Sequence, residues 1–322
     1  MKTTNILLLF SIFLLGGCAN IGNSLKGNHY LSTQQYEEGV LRFQEEVKSE
    51  PDNEVANYYL GRFLLAEGQS EKALPYLAKA VSADPDDADY YFWLGVGNGA
   101  IGNEQAERKN YEQAIKQQST HSKAHLYLGH LQLKAGQYEQ ALASYNRVLM
   151  RYPFNAAAMY NRAICLKMLG RHTEEKKAWK KYLEFYPAGY LAIRATEHLN
   201  ALGDFSFRNH YFGYRTITLT EIDFITGTEE LRDTSLASLK NVGAVMANLK
   251  KGNLQIVVNA VGDHEIAYKR ARSIQAYLLK NYTDIPSERL RISGFGTPEK
   301  ISMQGREHVL AESVRLFMTD TQ

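Results

Sequence analysis

A glycine recurs every 34 residues through the first half of this chain, and that interval constrains the fold more than any other feature. Gly68, Gly102, Gly136 and Gly170 keep it three times over. Prolines keep it as well: Pro51 to Pro85 is 34 residues, Pro85 to Pro153 is twice 34, and Pro153 to Pro187 is 34, with Ser119 in the skipped place. The pairs Leu60-Gly61, Leu94-Gly95 and Leu128-Gly129 share the interval. A unit of this length cannot bury its own apolar face, so successive units must stack. The landmarks fit two helices per unit. The small residue of each Leu-Gly pair lets the first helix approach its neighbour. The later glycine takes the positive φ of the turn between helices, and the proline stops the second helix. Ala73, Ala114 and Ala141 fall on the second helix, near its packing face.

This pattern resembles the tetratricopeptide repeat (TPR). Four repeats run Glu54 to Asp87, Ala88 to His121, Ser122 to Asn155 and Ala156 to Gly189, the second and fourth degenerate; Arg162-Ala163 replaces Leu-Gly in the fourth. Gln35 to Asn53 reads as the second helix of a further repeat, with Phe43 and Pro51 in register, and Tyr190 to Leu202 reads as a cap. The expected solenoid therefore covers residues 35–202. The resemblance implies a binding groove lined by the first helices. Its first column reads Tyr58, Phe92, Leu126, Tyr160, and its second reads Arg62, Val96, His130, Ile164. Leu65, Gly99, Leu133 and Lys167 follow. A clamp for acidic peptide termini would carry Lys and Asn in these columns. The apolar first column instead points to an apolar or amphipathic protein segment, or to rings packed inside the solenoid. His121, His125 and His130 fall at a repeat junction and in a groove column, so no metal and no cofactor are expected.

The N-terminus sets the expected compartment. Lys2 precedes an apolar stretch, Ile6 to Leu15, interrupted only by Ser11. Ten helical residues span about 15 Å, half a bilayer core, which is signal-peptide length. Leu15-Gly16-Gly17-Cys18 resembles a bacterial lipobox. The resemblance implies cleavage of a signal peptide over 1–17, a diacylglycerol thioether on Cys18 and an acylated (palmitate-type) amine, which together make a stable anchor. Residues 18–34 are then the lipidated N-terminus and linker. Ala19 rather than Asp follows the cysteine, which favours the outer membrane, facing the periplasm. Cys165 is left unpaired in a helical repeat, where a buried, inert thiol is expected. Charge is balanced, with 21 Lys+Arg against 21 Asp+Glu from Lys26 to Asn200 and 15 against 14 after it, which argues against nucleic acid as a partner.

After a linker at 203–215 the pattern changes. Thr216 to Phe224 alternates as a strand, Leu231 to Leu249 has helical spacing, and Leu254 to Val261 is a strand. Ile266 to Tyr282 is a helix, with further strands at Arg289 to Gly294 and Ser313 to Met318. The whole chain is thus expected to be multidomain: an all-α solenoid, then an α+β domain over 216–322. Phe224 to Leu231, Arg270 with Ala271 to Leu278, and Arg289 to Gly296 are similar to segments of the OmpA-like, peptidoglycan-associated family. That resemblance implies a site in which Asp263 meets the ammonium of a peptidoglycan diaminopimelate and Arg270 meets its carboxylate, a charge pairing that suits a zwitterion. The sequence departs from the family in a shortened segment between Asp263 and Arg270. It also lacks a threonine before Asp263 and has Ala311-Glu312-Ser313 where the family has Asn-Arg-Arg; Arg306 remains upstream.

No phosphate loop, nucleophile elbow or zincin motif is present, so no enzymatic activity is expected. The expected function is an outer-membrane lipoprotein scaffold whose groove binds a protein partner in envelope assembly, of pilus or secretion type. The alternatives are a structural tether from outer membrane to peptidoglycan and, remotely, a cell-wall enzyme.

Overall fold

The structure is a computed structural model and describes residues 20–249 and 251–319. Cys18 and the expected signal peptide lie outside the described residues. The chain divides into two compact units between Pro153 and Phe154. The first holds helix α1 (residues 20–32), α2 (Tyr36–Ser49), α3 (Glu54–Ala66), α4 (Ser70–Ala83), α5 (Ala88–Ala100), α6 (Glu104–Gln117), α7 (Ser122–Lys134) and α8 (Tyr138–Arg151). Each helix from α2 to α7 packs on the next.

The recurring landmarks do what the interval requires. Gly68, Gly102, Gly136 and Gly170 all have positive φ, between 68° and 79°. A Cβ at Gly61 would lie 2.5 Å from Leu77, and one at Gly95 would lie 2.6 Å from Tyr111. A further 34-residue column was not read in the sequence. Asn53, Asp87, His121 and Asn155 each cap the first helix of a repeat, accepting from a backbone N–H in its first turn. A cap of this kind contributes about 1 kcal/mol.

The linker expected over 18–34 is helical from residue 20 to residue 32. This helix packs as the first helix of one more repeat: Gly27 lies against the Tyr59 ring, and Tyr30 meets Phe63 edge-on at 6.2 Å. The repeat was hidden because its turn position, 34 residues before Gly68, holds Gln34, which adopts φ 57°. A non-glycine residue pays about 1–2 kcal/mol for that conformation. Gln34→Gly should therefore raise the stability of the first unit by about 1 kcal/mol, read as a shift in the denaturation midpoint followed by Trp93 fluorescence. An unchanged or lower midpoint would mean the turn is not strained.

The second unit contains α9 (Ala156–Met168), α10 (His172–Phe185) and α11 (Tyr190–Ala201), followed by the sheet region. That region runs β1 (Phe207–Phe212), β2 (Arg215–Thr220), α12 (Leu236–Asn248), β3 (Asn253–Ala260), α13 (His264–Asn281), β4 (Leu290–Phe295), β5 (Glu299–Met303), β6 (Arg306–Leu310) and β7 (Glu312–Thr319). Five strands form a mixed sheet in the order β2-β1-β7-β3-β4, and β5 and β6 form a separate hairpin. Leu239, Val242 and Met246 of α12 and Ala271, Ile274 and Leu278 of α13 are buried with Leu254, Ile256 and Val258 of β3.

Besides the earlier end of the first expected strand, at Thr220, and the later start of α12, at Leu236, two parts of this region differ from the expectation. The segment 203–215 is not a plain linker, because it contains β1, next to the edge strand β2. Its sequence, Phe-Arg-Asn-His-Tyr-Phe, conceals a strand because tertiary contacts satisfy its polar residues. His210 is buried, and its Nδ1 accepts the backbone N–H of Leu316 at 3.2 Å. Burial holds its pKa down at about 4, so the ring is neutral. Arg208 grips Glu299 of β5 with two hydrogen bonds of 2.8 Å, across 91 residues of sequence. The β5–β6 hairpin was likewise unread, as its residues are mostly polar. No helix among the described residues is long and apolar enough to cross a membrane.

Candidate functional site

The first column of the expected groove is not an open apolar surface. Phe92 is buried against the rings of Tyr111 at 5.7 Å, Tyr127 at 5.4 Å and His121 at 5.3 Å. Tyr58 is buried between Tyr59 and Tyr90, at 5.0 and 4.8 Å. Leu126 is half-buried, and Tyr160 meets Trp179 and Tyr182 edge-on at 5.1 and 5.3 Å. These side chains belong to the packing between helices, where each large ring removes about 150–250 Å² from water. In the second column Ile164 is half-buried, and His130 lies between Tyr127 and Tyr145, where burial lowers its pKa.

What the first helices of the first unit leave open is polar. Arg62 lines a cavity of about 400 Å³ together with Tyr58, Asn28, Asp89, Trp93 and Lys123, and with Asp87. Its guanidinium carbon sits 4.3 Å from the Trp93 ring centroid and 5.1 and 5.7 Å from Tyr58 and Tyr59, a cation held by three aromatic faces. Nη1 donates to the Tyr58 hydroxyl at 3.0 Å, while Nε is buried without a partner among the described residues. Asp87 is committed to the cap of α5. Asp89 is hydrogen-bonded to His121 at 3.1 Å, which holds its carboxyl below the usual carboxylate range. Sequence reasoning found Arg62 and Tyr58 but missed Asn28, which lies in the expected linker, and Asp87, Asp89, Trp93 and Lys123.

In the second unit the three expected peptidoglycan contacts are dispersed. Asp263 caps α13, accepting from Ile266 N–H at 2.8 Å. Arg270 is 2% exposed; its Nε donates to Thr228 O at 2.9 Å, its Nη1 lies 3.0 Å from Glu312, and its guanidinium lies 4.9 Å from the Phe224 ring centroid. Arg270 lines a cavity of about 520 Å³ with Glu312, Asn259, Asp223 and Arg232. Asp263 and Arg306 are not in its wall; Arg306 begins β6 and lines a different cavity.

Cys165 is fully buried, and burial pushes its thiol up to about 11, which suits an inert core position. The histidines have separate engagements: His121 caps α7 and His125 bonds the Ser119 carbonyl at 2.9 Å. Among the described residues no three His, Cys, Asp or Glu side chains converge as metal ligands would.

Comparison with known proteins bears on the helical part. The family profile described as tetratricopeptide repeat matches residues 24–88, 62–96 and 126–190. The human and bovine proteins named DnaJ homolog subfamily C member 3 are each 33% identical over 94 residues, 29% of this chain and 19% of theirs. The chain thus spans about a fifth of the length of these curated relatives. Among solved structures, the MamA protein is 23% identical with a TM-score of 0.45, over 52% of this chain and 92% of that one. YrrB, described as a TPR protein with an unusual peptide-binding site, is 18% identical with a TM-score of 0.46, over 53% and 88%. The helical part of this chain is an array of tetratricopeptide repeats, followed by a region built on a β-sheet.

Proposed function

We propose that the protein is a non-enzymatic scaffold of the bacterial envelope: an outer-membrane lipoprotein, anchored through Cys18 and facing the periplasm, whose repeats hold a protein partner during assembly of a pilus or secretion-type machine. The observation that carries the scaffold reading is the cavity around Arg62. A guanidinium fixed over three rings, with a phenol as its acceptor, offers a partner segment both a charged and an aromatic contact. The segment it suits is polar or mixed rather than the apolar one expected from the first column. In pull-downs from crosslinked envelopes, Arg62→Ala with Lys123→Ala should reduce partner recovery roughly ten-fold without loss of helicity by circular dichroism. Unchanged recovery would count against this groove.

The compartment rests on the lipobox-like Leu15-Gly16-Gly17-Cys18. Cys18→Ala should leave an unprocessed or soluble form, tested by fractionation after a high-salt wash. A variant that stays with the outer membrane would overturn the lipid anchor.

A second reading, in which an OmpA-like C-terminal domain tethers the outer membrane to peptidoglycan, is supported by Arg270. The resemblance assigns it a ligand carboxylate, and the chain's own Glu312, 65% exposed, supplies a carboxylate there. On this reading Glu312 competes with the ligand, so Glu312→Gln should increase co-sedimentation of the full chain with purified sacculi. No sedimentation of either form at low salt would leave the domain as an interaction module.

A further inference from the structure

A cavity of about 370 Å³ in the second unit is lined by Lys167 of α9, His172 and Glu175 of α10, His198 of α11, and Gln304 and Arg306 at the β5–β6 turn. These side chains form a chain of contacts whose charges do not cancel. Lys167 Nζ lies 3.0 Å from His198 Nδ1. An ammonium has only donors, so Nδ1 must present its lone pair and the imidazole must be neutral. Burial, with Lys167 and Arg194 nearby, holds His198 at about 4, in agreement with that geometry. The same ring is stacked on Trp179 at 5.1 Å.

Among the described residues Glu175 is the only carboxylate in the wall, and it is 2% exposed and already occupied. One oxygen accepts the indole N–H of Trp179 at 3.2 Å, and the other lies 3.2 Å from His172 Nδ1. Lys167 therefore has a neutral ring as its partner, and Arg306 makes no ion pair and no side-chain hydrogen bond among the described residues. The end of α11, at Ala201 and Leu202, opposes an anion through its helix dipole, but its last carbonyls are satisfied: Leu199 O and Asn200 O accept from Leu202, Gly203 and Asp204. Two full positive charges without carboxylate partners outweigh that fractional negative charge.

We propose that this cavity is a binding site for an oxyanion, a carboxylate or a phosphate group, held between Lys167 and Arg306. The proposal is independent of the groove around Arg62 and gives Arg306 a role apart from peptidoglycan. Lys167 is half-buried and its ammonium faces a neutral ring, so an anion placed between it and Arg306 supplies countercharge to both. The neutral His198 then faces a reduced positive field, and its pKa rises on binding.

The test is titration of the full chain, labelled at histidine, with inorganic phosphate and separately with acetate, followed by the His198 resonance in NMR. Saturable binding of either anion, with an upward shift of the His198 pKa, is the expected result, and the tighter of the two identifies the ligand class. Lys167→Met keeps the buried stem and Arg306→Gln lies on an exposed turn, so both should fold; each should weaken binding roughly ten-fold. Absence of saturation by roughly 20 mM of both anions, a range that excludes any affinity of use, would overturn the proposal. So would binding unchanged in both variants.

Discussion

Gly294→Ala is expected to unfold the second unit under conditions where the first stays folded. Gly294 lies on β4 where α13 crosses it, and a Cβ there would sit 2.3 Å from Tyr268 N, 2.6 Å from Tyr268 Cα and 2.7 Å from the Ala267 carbonyl carbon. All three atoms are helix backbone, so no rotamer change relieves the clash and the whole helix must move. Overpacking of a core typically costs about 1–3 kcal/mol; displacing α13, which buries Ala271, Ile274 and Leu278, should cost about 4 kcal/mol or more. The chain's two tryptophans fall one in each unit, Trp93 and Trp179, so single-tryptophan variants report the two unfolding transitions separately. The Trp179 transition should shift strongly and the Trp93 transition should not. A second unit unaffected by the substitution would mean that helix and strand are further apart than described.

Arg270→Ala should have the next largest effect, and on stability before any ligand is considered. The side chain is buried, bonds the Thr228 carbonyl, pairs with Glu312 and covers the Phe224 ring. Truncation leaves a cavity and an unsatisfied carbonyl, for a combined cost of about 3 kcal/mol. Glu312 is largely exposed, so its stranded charge adds little. Asp263→Ala removes only a helix cap and should cost about 1 kcal/mol. That contrast matters for the tether reading: loss of sacculus binding in Arg270→Ala is informative only where the domain remains folded. Equal destabilisation by the two substitutions in chemical denaturation would show that Arg270 is not the anchor of this core.

The repeat was legible because a 34-residue interval leaves glycines and prolines where backbone geometry demands them. The same demand explains the failure at Gln34: once the glycine was replaced, α1 read as linker although its Gly27 keeps the interval to Gly61. In the sheet region β2, α12, β3, α13, β4 and β7 are legible from their apolar patterns. β1 and the β5–β6 hairpin are not, because Arg208, His210 and Glu299 owe their burial to partners roughly 90 to 105 positions away. Of the candidate sites, Arg62 with its acceptor Tyr58, and Arg270, are named by the sequence, but Asn28, Asp89, Trp93 and Lys123 around the first and Glu312 beside the second are not. For the rings of the first column the sequence left two readings open, because a groove position and an inter-helix packing position carry the same aromatic residues. Only burial separates Tyr58 and Phe92 from an exposed surface.

The most direct test of the scaffold reading is photo-crosslinking in cells from a benzophenone side chain placed at Lys123, in the Arg62 cavity, and at Glu112, exposed on α6 outside it. A groove that holds a partner gives a discrete adduct from position 123 that disappears in the Arg62→Ala background, and none from position 112. Adducts of equal yield from both positions, or an adduct at 123 indifferent to Arg62→Ala, would contradict a partner site centred on Arg62.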